Sequence, residues 1–393
     1  MKSKYLSTKL ACYCSYIVQA VINNFLPILF IALQDIYGLG YEKLARIIVF
    51  SFVPQIFTDF MSPKIVSKIG YRYSAFFCQA LSAAGLFMLA FLPRIIEPYT
   101  AIILSVFVYA LGSGLIEVVI SNMIGRLPTD RRAGNMSVLH SFFCWGQMFT
   151  VIVTTVLLAL FGFDGWNNIP LIWAVIPFVN MFCFLKVPIV EEPFAPDQHT
   201  SAKSLIKSRK FRCYMIMMFC AGACEIAMAD WASMFVQQAL GVSKVIGDLT
   251  GPCSFALFMG VGRIWYAAVS EKISFKKTLI VLCAICFVCY NVVAFCNIPA
   301  VSLVFCGLCG FTVSIAWPGI YAVGAGDFAE GKASTYSILA TCGDTGCCLG
   351  PWILGIVADY AGLNIGFGVV SVFPLILIAA TLLSFKSDKK IKG

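Results

Sequence analysis

The chain has 393 residues, of which 60% are hydrophobic and 12% charged, and its formal net charge is +9. Soluble domains carry about 45–50% apolar and about 25% charged residues, and a soluble fold has too little interior to hide this much apolar surface. The balance therefore excludes a water-soluble globule, and the length leaves room for about twelve spans of roughly 20 residues with short loops.

Apolar segments run at 10–32, 43–62, 74–92, 99–122, 135–160, 170–186, 212–238, 249–269, 278–296, 301–324, 334–357 and 365–385. Lys2, Lys4 and Lys9 precede the first run, which is too long for a signal peptide and contains Gln19, Asn23 and Asn24. It reads as a first span rather than a cleaved leader. Twelve spans put both termini on one side. With that side cytoplasmic, only Lys43, Arg46, Arg94 and Lys244 of the 28 basic residues fall outside, and Arg263 lies within a span. This asymmetry sets orientation and accounts for the net charge without any nucleic acid. The expected location is the inner (cytoplasmic) membrane.

The longest polar stretch, about 187–210, holds Glu191, Glu192, Pro193, Pro196, Asp197 and His199. It reads as a linker near the midpoint. The expected organisation is an N-terminal six-helix bundle at 1–190, a cytoplasmic linker at 191–210 and a C-terminal six-helix bundle at 211–393. The 18 cysteines sit in apolar runs, where a thiol behaves as a small hydrophobe. With only two histidines, His140 and His199, no metal site or cofactor is expected.

An internal repeat supports two halves. K-L-A-C-Y at 9–13 returns as K-F-R-C-Y at 210–214, and K-I-G-Y-R at 68–72 as K-I-S-F-K at 272–276. Ala133, Ser137, Leu139 and Gly146 return as Ala333, Ser337, Leu339 and Gly346. The offsets, 201, 204 and 200, are nearly one value. The fold class is thus an all-α polytopic membrane protein with twelve transmembrane helices in two six-helix repeats.

Ionisable groups in hydrocarbon are costly and usually face a cavity or a partner. Span 1 carries Asn23 and Asn24 just before Pro27, which suggests a weakened helix with exposed backbone groups. Span 2 adds Gln55. Span 4 carries Glu117, with Gly112, Ser113, Gly114 and Ser121 at helical spacing around it. Span 5 carries His140, followed by Cys144, Trp145 and Gln147. Spans 4 and 5 join on the cytoplasmic side, so Glu117 and His140 are placed to share a proton. Span 7 carries Glu225, opposite Asn24 in the repeat, and further along Asp230 and Trp231. Trp317 falls opposite Glu117, and span 11 carries Asp344. Apolar ring faces beside amides and carboxylates suit a sugar. Tight helix packing and ordinary helix-to-helix hydrogen bonds are the plainer reading of the same residues.

These patterns resemble the major facilitator superfamily over the whole chain. Parallel six-helix repeats with a binding site near the midplane between them are its construction. Asp59 through Pro63, Lys68, Gly70 and Arg72 resemble its acidic-glycine-basic loop, here degenerate. The resemblance implies a gating loop whose charges latch one access state, and the offset of 204 sets Arg263 opposite Asp59. G-S-G-L-I-E-V-V-I-S-N, followed by M-S-V-L-H-S-F-F-C-W-G, is similar to the fucose–proton symporter family. That similarity implies proton-coupled sugar transport through Glu117. The family's span-1 acid after the asparagines is absent, since Phe25, Leu26, Pro27 and Ile28 stand there.

The leading expectation is a monomeric secondary transporter, with a small polar solute and a proton as its partners. Asn23, Asn24, Gln55, Trp145, Gln147, Glu225, Trp231 and Trp317 would contact solute, and Glu117, His140 and Asp344 would carry protons. The alternative is proton-driven efflux of lipophilic cations by the same fold. No nucleophile–base pair or phosphate loop points to an enzyme.

Overall fold

The computed structural model describes residues 5–127, 132–190, 202–270, 272–296, 298–328 and 332–391. Arg131, Lys392 and residues 191–201 of the expected linker, His199 among them, lie outside the described residues. So do the side chains of Pro63, Arg132, Ala133, Ser137, Lys203, Ala333, Lys386, Lys389 and Lys390. All regular structure among the described residues is helical. In a bilayer this is what the backbone requires, because a helix satisfies its own N–H and C=O groups without water. Eleven helical stretches are long and apolar enough to cross a membrane. The chain divides into two compact units, Met1–Phe194 and Ala195–Gly393.

The first unit contains α1 (Leu6–Ile28), α2 (Phe30–Tyr37), α3 (Tyr41–Phe91), α4 (Pro98–Gly125), α5 (Arg132–Phe161) and α6 (Ile169–Lys186). α3 holds two of the apolar stretches, Tyr41–Ser62 and the start of Lys64–Arg94. The chain turns within it at Gly70, whose φ of 74° is left-handed and favours a residue without Cβ. The proline-weakened first span is interrupted only at Leu29. There the backbone tightens locally, with Leu29 N–H donating to Leu26 O at 2.8 Å. The ladder resumes at once, Leu33 N–H donating to Leu29 O. α4 begins with Pro98, where a missing N–H costs nothing. Glu97 caps it by accepting from Tyr99 N–H at 3.0 Å and Thr100 N–H at 2.6 Å.

The second unit contains α7 (Ala202–Lys207), α8 (Arg209–Leu240), α9 (Lys244–Asp248), α10 (Ser254–Val269), α11 (Phe275–Phe295) and α12 (Pro299–Val313). After these come α13 (Ala316–Asp327), α14 (Lys332–Ala361), α15 (Leu363–Val370) and α16 (Val372–Ile391). A π-helical turn at Leu249–Cys253, holding Pro252, joins α9 to α10. α14 is 30 residues long. Asp344, Thr345, its glycines and Pro351 dilute its apolar character, and it is not among the eleven apolar stretches.

The repeat is visible in how each unit packs internally. In the first, Gly146 of α5 lies against Ile17 and Ala20 of α1, and a Cβ there would meet Ala20 Cβ at 2.9 Å. In the second, Gly346 of α14 lies against Phe219 and Ala223 of α8, and Gly350 sits 2.7 Å, measured from a built Cβ, from Ala223 Cα. Glycine lets these helix backbones approach closely, as small residues commonly do in membranes.

Candidate functional site

Along α1, Tyr16, Gln19 and Asn23 fall at steps of three and four residues, so they share one helix face. Along α4, Ser113, Glu117 and Ser121 fall at steps of four. The two helices run antiparallel and the stripes meet as a ladder. Tyr16 Oη lies 2.6 Å from Ser121 Oγ. One turn on, Gln19 Nε2 donates to Glu117 Oε2 at 3.0 Å. One further turn on, Ser113 Oγ donates to Asn23 Oδ1 at 3.4 Å. Gln55 of α3 closes this last rung, donating from Nε2 to Asn23 Oδ1 at 3.2 Å and accepting from Ser113 Oγ at 2.9 Å.

The glycines beside Ser113 hold α3 in place. A Cβ on Gly114 would strike Thr58 Oγ1 and come within 2.6 Å of Gln55 O, and one on Gly112 would come within 2.5 Å of Cys78 O. This contact brings the Gln55 backbone near enough for its amide to reach Ser113. His140 is buried in α5, its ring edge-on to Tyr16 with centroids 5.1 Å apart. It therefore joins the Tyr16 end of the ladder, one turn of α1 from the Gln19–Glu117 rung. Asn24 bends back to its own helix and donates to Ala20 O at 2.9 Å, so Asn23 is the amide of the pair that reaches other helices. Gln147 is 1% exposed, and neither end of its amide has a hydrogen-bond partner among the described residues. Trp145, two residues before it, is half-buried.

In the second unit, Arg263 Nη2 lies 3.2 Å from Glu225 Oε1 and 3.5 Å from Oε2, and both residues are buried. Arg263 Nε also donates to Ser314 O. Arg263, expected opposite Asp59 in the gating set, is thus the counter-charge of Glu225. Trp231 donates from Nε1 to Pro351 O at 3.1 Å, so its ring bridges α8 to α14. The Trp317 ring lies against Gly343, where a Cβ would have no room. Asp344 is buried in α14 at 3% exposure.

In the loop-like part of α3, Asp59 is fully buried and Lys68 is exposed. Arg72 Nη1 donates to the carbonyls of Phe184, Leu185 and Val187, at 2.9, 2.9 and 3.1 Å. These are carbonyls left open at the C-terminus of α6, where a cation is favoured. Arg126 stacks over the Tyr71 ring at 4.9 Å. The turn at Gly70 is therefore fastened to α6 through Arg72 and to the end of α4 through Tyr71.

Tyr16 and Gln19 are ladder residues that a scan for acids and asparagine pairs passes over. Their signal is spacing: Tyr16, Gln19 and Asn23 recur at steps of three and four along one face of the helix. Among the described residues no group of three or more His, Cys, Asp or Glu is placed to hold a metal.

The chain is helical, holds eleven stretches able to cross a membrane among its described residues, and carries a buried polar ladder in its first unit. Residues 11–351 match the family model of the Major Facilitator Superfamily, and the chain belongs to that superfamily. Its fold is that of several solved transporters. The D-xylose-proton symporter matches with a TM-score of 0.76 at 13% identity, covering 98% of each chain. The E. coli fucose:proton symporter FucP matches at 0.71 and 16%, covering 97% of this chain and 99% of that one. The nucleoside transporter NupG matches at 0.73 and 13%, covering 96% and 99%. Membrane protein MosC of Rhizobium meliloti is 23% identical over 167 residues, which span 42% of this chain and 41% of that protein. The chain is a secondary transporter of the all-α polytopic facilitator fold.

Proposed function

We propose that this protein moves a small polar solute, a sugar or a close chemical relative, by alternating access coupled to protons. It acts as a monomer in the cytoplasmic membrane with both termini on the cytoplasmic side. The observation that carries the reading is the Gln19–Glu117 rung. The buried Glu117 carboxyl accepts from the neutral Gln19 amide and, as an acid held inside a membrane span, is suited to binding and releasing a proton, whereas Glu225 faces a guanidinium. Asn23, Gln55 and Ser113 supply neutral donors and acceptors one turn away, and Gln147 adds an uncommitted amide. Such groups suit hydroxyls. The offset of the Glu225 charge by Arg263 favours a neutral solute over the lipophilic cations of the alternative. The named cargoes of the three similar structures, xylose, fucose and nucleosides, support the same class. The 62–72 turn and Arg72 form the gate.

The test is uptake by reconstituted vesicles of labelled fucose, xylose, uridine and tetraphenylphosphonium, with and without an acid-outside gradient. The wild type should accumulate one of the first three under the gradient. Glu117→Gln should lose that accumulation and keep solute counterflow. Undiminished gradient-driven uptake in Glu117→Gln removes the proton role, and transport of the phosphonium alone removes the polar-solute class.

A further inference from the structure

The acids of the second unit are unequal. Glu225 faces Arg263, Asp248 accepts from Ser233 and pairs with Lys244 at 3.0 Å, and Asp327 pairs with Lys210 at 2.8 Å and accepts from Tyr214. Asp230 differs. It is 2% exposed, and neither carboxylate oxygen has a hydrogen-bond partner among the described residues. It sits in the tightly packed part of α8. Next to it the fully buried Trp231 is tied to Pro351 O, Ala232 lies against Gly251, and Phe235 packs on Phe367 with ring centroids 5.0 Å apart.

Among the described residues, the charged side chains on the elements packed around α8 supply Asp230 with no counter-ion. Lys244 on α9 is committed to Asp248, and Arg263 on α10 to Glu225. Asp327 on α13 and Asp344 and Asp359 on α14 are acids themselves. The basic residues at the start of α8 end at Arg212, about 27 Å away at the helical rise. The thiols and phenols of these elements carry no positive charge in either protonation state, so none can act as a counter-ion. An isolated carboxylate in such surroundings would forfeit its solvation with nothing in return, and a group so placed sheds its charge by binding a proton. A neutral carboxylic acid needs no counter-ion, and its burial costs far less than that of the carboxylate.

We infer that Asp230 is a proton-binding site separate from Glu117. It holds its proton in the arrangement seen here, and releases it to water, as carboxylate plus hydronium, when the carrier changes access state. The exchange step rests on the carrier reading above. The proton occupancy does not, and it can be read without any solute.

The experiment is infrared difference spectroscopy of the full-length protein in lipid across a pH titration, comparing wild type with Asp230→Asn and Asp230→Glu. The expected result is a carboxylic-acid C=O band at neutral pH that shifts in heavy water. It should vanish in Asp230→Asn and move in Asp230→Glu, the variant that tests the site should Asp230→Asn misfold. In vesicles, Asp230→Asn should lower the proton-to-solute ratio while sparing counterflow. Identical wild-type and variant spectra mean that Asp230 is ionised, and overturn the inference. Loss of the band in Asp230→Asn, from a wild type that shows no gradient-driven uptake, keeps the proton site and removes the coupled carrier.

Discussion

Glu117 and Glu225 are both buried glutamates in apolar helices, yet their surroundings give them opposite characters. In the first unit α1 offers Glu117 the amide of Gln19, and in the second α10 offers Glu225 the guanidinium of Arg263. The helix contacts behind them differ in the same complementary way. Gly114 on α4 makes room for Thr58 on α3, while at the repeat-related positions Ser314, just after α12, is accommodated by Gly262 on α10. Both units keep the close approach but put the glycine on opposite partners. The lesson is that burial alone does not make an acid titratable in use. Glu225 is balanced by a fixed cation, and for Glu117 a bound proton is the proposal made above.

The most damaging way to break this contrast is to remove the cation. Arg263→Met leaves Glu225 buried without its counter-charge and should cost roughly 3–5 kcal/mol, read as a lowered thermal midpoint in detergent. Adding Glu225→Gln should restore most of it. A neutral single substitution would mean that Glu225 carries no charge, and the two acids would then be alike. A smaller effect tests the close helix approach. Gly114→Ala pushes a methyl onto Thr58 and the Gln55 backbone and should cost about 1–3 kcal/mol as overpacking. It should also weaken solute binding by drawing Gln55 from Ser113, whereas Gly262→Ala should destabilise to a similar degree without touching the ladder. Unchanged solute affinity in Gly114→Ala would separate the packing from the site.

The smallest effect concerns an acid outside the spans. Hydrogen bonds from Thr100, joined by the Tyr99 N–H, hold the Glu97 carboxyl below its ordinary range. A depressed folded value stabilises the fold above the unfolded carboxylate range, and that contribution fades as pH falls towards the folded value. Glu97→Gln should therefore lower the thermal midpoint slightly at neutral pH and converge with wild type in acid. A constant difference across pH would assign the effect to something other than the capping charge.

Several elements of the site were legible one helix at a time. Glu117, Asn23 and Gln55 stand out because polar groups in lipid-spanning segments need a reason to be there, and the small residues around Glu117 mark close packing. Gln19 and Tyr16 were less visible, because a single amide or phenol in a helix is unremarkable until its antiparallel partner is known. The repeat sets Arg263 opposite Asp59, and the structure pairs Arg263 with Glu225, a meeting of helices that no one-dimensional offset encodes. Asp230 looked ordinary for a related reason: the lack of a partner is a property of its neighbours.

By itself the sequence determined the helical, membrane-spanning class, because apolar length and backbone hydrogen bonding leave lipid-facing chain few other choices. It also determined the internal repeat, since the repeated residues recur in order. Only the tertiary structure decided which acid meets an amide, which meets a guanidinium and which meets neither. Those outcomes depend on angstrom-scale approach of side chains from helices far apart in the chain, set by where glycines let backbones touch.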